Sequence, residues 1–384
     1  MSGAKTFNCP SCGASLSPQG AAEIKCEYCD NTVIVPRELR APSPRPMTPE
    51  SRSSGGGGIL IGVAIVVFVI IGLVIVGVSQ SGDKPTPVAN VIVIPTPAGF
   101  ARVALSFGGE GTAPGLFQSA RHIAIDPNGT IYVDDHETLR VQKFDATGKY
   151  VSGLTVDENL CSNKSASLNS LAADRTGNVF VHFCGTILKY DGVTGKLLAQ
   201  FNGDKNSPRD FYMDMVLYPD GGLLVLASGA SSSANEVLLR LDANGTVLAR
   251  YPNPVSAQSP KRPGNAMTIK PAMDGLGNIF LLNTDDYAIY KFTPDGKFVN
   301  KFGSVGTGVG QFESWAHHIA VDNQSWVYVT DFKGIKVFDS NGTYMDSMSD
   351  SFARGAVEMR ISDKNEIYFV SGKSMIYKLV LNKP

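Results

Sequence analysis

This sequence lacks most of the short motifs that announce an enzyme. Its 384 residues hold no Gly-x-Ser-x-Gly nucleophile turn, no His-Glu-x-x-His helix and no Gly-rich phosphate loop ending in Lys-Ser or Lys-Thr. No run of Lys or Arg stands out and the net charge is −1, so the electrostatic footprint of a nucleic-acid binder is missing. Cysteine is scarce and unevenly placed: four of the six lie before residue 30, and Cys161 and Cys184 are alone downstream. Long apolar runs are absent with one exception. The remainder, 43% hydrophobic and 18% charged, is ordinary for a globular chain with one membrane segment.

The exception is residues 59–78, ILIGVAIVVFVIIGLVIVGV, with no charge. At ~1.5 Å per residue such a helix crosses a ~30 Å hydrocarbon core. It is apolar on every face and preceded by a whole domain, which disfavours a buried core helix and a cleaved leader. Arg37, Arg40, Arg45 and Arg52 precede it, whereas only Lys84 follows before Arg102. The positive-inside rule then predicts a single-pass cell-membrane protein with a cytoplasmic N-terminus and an extracytoplasmic C-terminal domain. Gly58 and Gly62 make one GxxxG, a weak dimerisation signal that leaves a homodimer open. Residues 37–58, rich in Pro, Ser and Gly, read as a flexible linker. Residues 79–99, with KPTP and IPTPAG, read as a stiff Pro-rich stalk.

In residues 1–36, Cys9-Pro-Ser-Cys12 and Cys26-Glu-Tyr-Cys29 form CxxC-x13-CxxC. Four thiolates at this spacing can surround one tetrahedral ion at ~2.3 Å. So small a segment cannot bury enough surface alone, and metal would supply its folding energy. The segment resembles a zinc ribbon of the CPxCG type, which implies a structural Zn²⁺ with no open coordination position. Iron is a possible occupant on ligand chemistry alone.

From residue 100 to 384 one unit recurs six times. The clearest copy starts at His122, HIAIDPNGTIYVDDHETLRVQKFDATGKYV, and its nearest echo at His318, HIAVDNQSWVYVTDFKGIKVFDSNGTYM. A period of about 40–50 residues built from short apolar runs and turn signals indicates a propeller or solenoid. Each copy offers four strands joined by Asn-Gly or Asp-Gly-type turns, one propeller blade. The sixth copy stops after its third strand, at Leu381, while ARVALSF at 101–107 precedes the first copy unpaired. That strand is predicted to complete the last blade and close the ring, leaving no open sheet edge. The fold class is thus all-β, a six-bladed β-propeller behind a small ribbon and one helix. The "IAxD…G…YV…VxxFD" frame of Phe117–Asp145 and Phe312–Asp339 resembles the NHL-repeat family. The resemblance implies a rigid disk that binds proteins or nucleic acid, with a few extracytoplasmic lyases and hydrolases among its members. Trp-Asp-type blades are disfavoured, because no Trp-Asp dipeptide occurs.

Aligning the copies places His122, Ser170, Asp214, Lys270, His318 and Glu358 at one position, just before the first strand of each blade. In a propeller that position faces the mouth of the central channel. Blades five, six and one would bring His318, Glu358 and His122 together, two imidazoles and a carboxylate suited to a divalent metal or to acid–base work. The alternative is a solvated polar rim without chemistry. His317 takes the inward place if the register slips by one. Asp135, Asn283 and Asp331, at the ends of second strands, read either as added ligands or as turn residues. Cys161 and Cys184 flank two strands of blade two that return to the same end, and outside the cytoplasm they are candidates for a disulfide.

On sequence, the favoured function is a membrane-anchored binding, sensing or scaffold protein. Its propeller would take a protein, peptide or glycan, its ribbon a cytoplasmic protein partner and its helix the membrane lipid. The alternatives are an extracytoplasmic metal-assisted lyase or hydrolase working through the channel-mouth cluster, and a structural cell-envelope protein. Residues 1–36 are expected to bind one Zn²⁺ and to unfold on chelation, and Cys12→Ser to abolish both. NMR shift dispersion that persists in EDTA would contradict this.

Overall fold

A computed structural model describes residues 6–40 and 100–382, apart from 10–13, 19, 29–31, 37, 38, 163–166, 203–210, 219, 229–235, 260–263, 314 and 350. The apolar run at 59–78 and most of both linkers lie outside the described residues. Among the described residues no helix is long and apolar enough to cross a membrane.

Residues 100–382 form an all-β, six-bladed propeller of antiparallel four-stranded sheets. Blade one is Ala120–Ile125, Ile131–Asp135, Arg140–Phe144 and Tyr150–Thr155, and the next four blades repeat that order. Blade six takes three strands from the C-terminal end, Glu358–Ile361, Ile367–Ser371 and Met375–Leu381. Its fourth is Ala101–Gly108, in register from Met375↔Gly108 to Leu381↔Ala101. Gly108 is required there: at φ +90°, a β-carbon would meet Ile376 Cδ1 at 2.7 Å and the Ser374 carbonyl at 2.8 Å.

The Asp that recurs in four of the six copies is a turn device. Asp126 Oδ1 accepts from the Asn128 and Thr130 amides, both at 2.9 Å, and Asp174, Asp274 and Asp322 repeat the arrangement. A side chain that satisfies two amides of a tight turn explains why four copies keep Asp there. In blade six Ser362 Oγ takes the Lys364 and Glu366 amides instead, and blade three has Tyr218.

Packing is between blades. Each of the six large apolar clusters of the propeller is shared by two neighbours; the one closing the ring joins Leu105, Phe107, Val370 and Ile376 of blade six to Phe117, Ile123, Ile131 and Phe144 of blade one. Lysines add a second tie. Lys143 lies over the Tyr132 ring and donates to the Gly192 carbonyl at 3.2 Å in the next blade. Lys189 over Phe180 reaches Ala243 O at 3.1 Å, and Lys291 over Phe280 reaches Ser340 O at 3.1 Å. In each case the stem covers an aromatic face while the ammonium satisfies a neighbour's turn.

In the N-terminal segment, Phe7–Asn8 pairs with Ser15–Leu16 and Glu23–Lys25 with Thr32–Ile34. Cys9 and Cys26 are buried in one small core with Phe7, Leu16, Val33 and Val35. Cys12 and Cys29 lie outside the described residues.

Phe107 carries the contact across the closure, its ring centroid 4.8 Å from that of Phe144. Phe107→Ala is expected to cost about 3–5 kcal/mol, the range for a buried aromatic truncated in a core. Chemical denaturation of the variant against the parent measures it, and an unchanged midpoint would count against ring closure by this strand.

Candidate functional site

The innermost strands line the central channel, and alternate side chains on them face inward. The structure sets His122, Ser170, Asp214, Lys270, His318 and Glu358 at one end of it. Two residues further along, the inward positions are Ala124, Ala172, Val216, Ala272, Ala320 and Arg360, which line a cavity of about 180 Å³ below the ring. That space suits a file of waters and is smaller than the ~300 Å³ at which ligand pockets begin, so a substrate would be met at the mouth.

The ring divides into two networks. On one side Ser170 Oγ donates to Asp214 Oδ1 at 2.8 Å, and Lys270 Nζ is 3.2 Å from Asp214 Oδ2. On the other, Glu358 Oε2 lies 3.9 Å from His122 Nε2 and 3.8 Å from His318 Nε2. Arg360 Nη2 is 2.7 Å from Glu358 Oε1, a charge contact whose angle is too poor for a hydrogen bond. His318 is the inward residue of its pair: it is 3% exposed, whereas His317 is half-buried on the rim. His318 Nδ1 is buried with no hydrogen-bond partner.

Asp134 and Arg360 complete this half, and neither was foreseen from sequence. Asp134 is fully buried; its Oδ1 accepts the His122 amide at 2.7 Å and its Oδ2 takes His122 Nδ1 at 2.6 Å. The imidazole is thereby fixed with Nε2 turned to Glu358. His136 donates Nδ1 to the Leu168 carbonyl at 2.9 Å, and one ligand atom each from His122, Asp134 and His136 lie within 4.8 Å of one another. The signal for Asp134 was the Asp-Asp-His run in the second strand of blade one, in which Asp135 drew the attention. Asp135 instead accepts from the Gln118 and Ser119 amides and pairs with Arg140. Asp331 accepts from the Lys333 and Gly334 amides, and Asn283 from that of Asp285. Asp331 and Asn283 are turn caps, whereas Asp135 ties the second strand to the segment before the first.

Cys161 and Cys184 are joined in a disulfide with Cα atoms 5.9 Å apart. It ties the approach to the innermost strand of blade two to the hairpin that follows its second strand, on the mouth side.

Burial and neighbouring charge separate the titratable groups. Burial works against the His122 cation, but the Asp134 carboxylate and then Glu358 raise its pKa overall. Burial, then Arg360 and Lys270, hold His318 well below the usual imidazole range, so it is neutral. Burial lowers His182, next to the mouth, to about 4. Burial opposes ionisation of Asp214 too, yet Lys270 and Arg360 hold its carboxyl below the usual carboxylate range. Glu358 is pushed up by burial to about 7, against the pull of Arg360 and His122.

A carboxyl at 7 when folded, against an ordinary 4.5, keeps its proton longer in the folded state. The stability this gives is complete below pH 4.5 and is lost as pH rises through 7. In chelator-treated protein, Glu358→Gln is expected to remove that loss, so the urea midpoint of the variant gains on the parent between pH 5 and 8. Midpoints that run parallel across this range would refute the burial effect.

No protein-family model and no curated protein matches the chain. Among solved structures, a gluconolactonase from Xanthomonas campestris superposes with a TM-score of 0.55 at 17% identity, over 78% of this chain and 99% of that one. A second structure, named only as a candidate gluconolactonase, superposes at 0.51 with 13% identity, over 74% of this chain and 93% of the other. At these identities the likeness is one of fold.

Proposed function

We propose that the channel mouth is the active centre of a metal-assisted hydrolase or lyase. The observation that carries this reading is the Glu358 carboxylate set between two imidazole Nε2 atoms at 3.9 and 3.8 Å, one of them oriented by a buried Asp. Two nitrogens and one carboxylate oxygen are a donor set for a divalent transition metal, and Asp134 and His136, whose ligand atoms lie within 4.8 Å of one another and of that of His122, extend it. The Asp134–His122 pair is the carboxylate–histidine arrangement that fixes tautomer and ring direction for a metal ligand. Burial keeps His318 neutral, and Nε2 is its ring atom turned to the carboxylate. A cation held by His122, His318 and Glu358 would supply polarisation of a carbonyl or activation of a water. The protein supplies the rest. Lys270, anchored by Asp214 and 30% exposed, presents its ammonium to negative charge developing at the mouth. Arg360 holds the second oxygen of Glu358 and so limits its rotation. The fold neighbour named as a gluconolactonase makes lactones the first substrates to try.

Around this centre we infer the tethering read from the sequence. The apolar run at 59–78 would anchor the chain, with the propeller outside the cytoplasm. The Cys161–Cys184 disulfide supports that placement, since such bonds persist in oxidising compartments. The joint burial of Cys9 and Cys26 supports a metal-centred ribbon for a cytoplasmic partner. A binding or scaffold role without catalysis is the outcome if the mouth takes no metal.

The purified full-length chain, stripped and reloaded with Zn²⁺ or Mn²⁺, is expected to bind one ion beyond the ribbon's. His318→Ala and Glu358→Gln should lose it, and Asp134→Ala should bind about 10–100-fold more weakly. Lactone and ester hydrolysis followed by proton release should fall in step. Metal uptake identical in all three variants would sink the catalytic reading.

A further inference from the structure

The two best-matched copies part company beside the mouth. From Phe117 to His122 blade one reads FQSARH; from Phe312 to His318 blade five reads FESWAHH. Blade five has one extra residue, Trp315. It sits at φ +49°, a conformation that is costly for a bulky side chain, and its side chain is 62% exposed. In the hairpin that follows Thr330 and Asp331, Phe332 replaces the His136 of blade one and is 52% exposed. The Trp315 and Phe332 rings meet edge to face, centroids 6.2 Å apart at 87°. The His317 ring lies between, 5.9 Å from Trp315 and 5.7 Å from Phe332.

This corner is built and fixed. The Glu313–Lys333 ion pair, at 3.2 Å, ties the Trp315 segment to the Phe332 hairpin. Asp331 holds the hairpin by accepting from the Lys333 and Gly334 amides, and its other oxygen pairs with Lys336. The His317 amide donates to the Thr330 carbonyl at 2.9 Å, and the His318 amide to Thr330 Oγ1 at 3.1 Å. The corner therefore begins one residue from the inward-facing His318, about 3 Å of chain away.

We propose that Trp315, His317 and Phe332 form a subsite for an aromatic ring of the substrate handled at the channel mouth; the assignment rests on the catalytic reading above. Two perpendicular aromatic walls give a flat ring one face to stack on and one edge to meet. The Glu313–Lys333 pair and the Asp331 carboxylate are engaged within the corner. A sugar, whose ring hydroxyls need partners, finds fewer free ones there. The substrate class is thus an aryl-bearing ester, lactone or amide, with the aryl group on blade five and the carbonyl towards Glu358 and Lys270.

Saturation-transfer NMR on the full-length chain tests this with three probes: phenylacetamide, cyclohexylacetamide and methyl β-glucoside. Ring protons of phenylacetamide should receive saturation, with affinity at least about threefold above the cyclohexyl probe and lost about tenfold in Trp315→Ala. Trp326 is the other tryptophan of the chain, and Trp326→Phe serves as a control that should bind as the parent does. Glu358→Gln, measured for metal uptake and turnover and not for probe binding, tests the catalytic reading separately. Equal binding of the phenyl and cyclohexyl probes, preference for the glucoside, absence of binding, or binding that survives Trp315→Ala would each overturn the subsite.

Discussion

The pairing of Ala101–Gly108 with Met375–Leu381 is the constraint on which the rest depends. A propeller blade buries its faces only against neighbours, so an open array of six would leave two faces and two edges to solvent. The closing strand completes blade six and lets the two open faces meet, and Phe107 and Leu105 carry the last shared core from blade six to blade one. The consequence reaches the chemistry. His318, Glu358 and His122 belong to blades five, six and one, so the cluster straddles the seam where the two ends of the domain meet. Glu358 lies within 4 Å of His122 only because a strand more than two hundred residues from it in sequence completes its sheet.

Rigidity elsewhere follows from tying each blade to the next by means that do not involve the mouth. The lysines that cover an aromatic and donate to the neighbouring turn act at the periphery, and the Asp-capped turns act at the opposite end of the innermost strands. The channel mouth is thereby free to hold groups that a self-supporting core would reject. A carboxyl raised to about 7, a neutral histidine with an orphaned nitrogen and an ion pair only partly exposed are destabilising features. The shared apolar clusters offset them.

Period and turn chemistry made the fold legible, because a strand that must bury one side and turn tightly at each end has few sequence solutions. The Asp at the end of "IAxD" recurs since its carboxylate satisfies two amides, and the closing strand could be read from a sixth copy one strand short. The inward positions were legible for the same reason: a polar residue heading an otherwise apolar strand has a geometric cause. Asp134 was not legible, because its neighbour Asp135 has the same chemistry and only the pleat decides which one points at His122. Arg360 was missed because five blades place Ala or Val there, and a residue that departs from the repeat is invisible to an alignment that seeks agreement. Trp315 escaped likewise, as a single insertion between two copies that otherwise match. The apolar run at 59–78 and Cys12 and Cys29 lie outside the described residues, and for them the sequence argument stands by itself.

Departures from repetition therefore locate function better than repetition does. Six equivalent inward positions on a near-symmetric ring would, if identical, feel similar fields and titrate together. Here one half pairs Asp214 with Lys270 and keeps its charges, while the other half buries Glu358 against two imidazoles and raises its pKa to about 7. Lys270 and Arg360 together hold Asp214 ionised, and burial with the same two cations keeps His318 neutral. Titratable groups pushed apart within one small site are the usual mark of divided acid–base and electrostatic roles. The symmetric scaffold supplies six inward places at one level, and the substitutions at blades one, five and six turn three of them into a chemically distinct corner next to an aromatic wall.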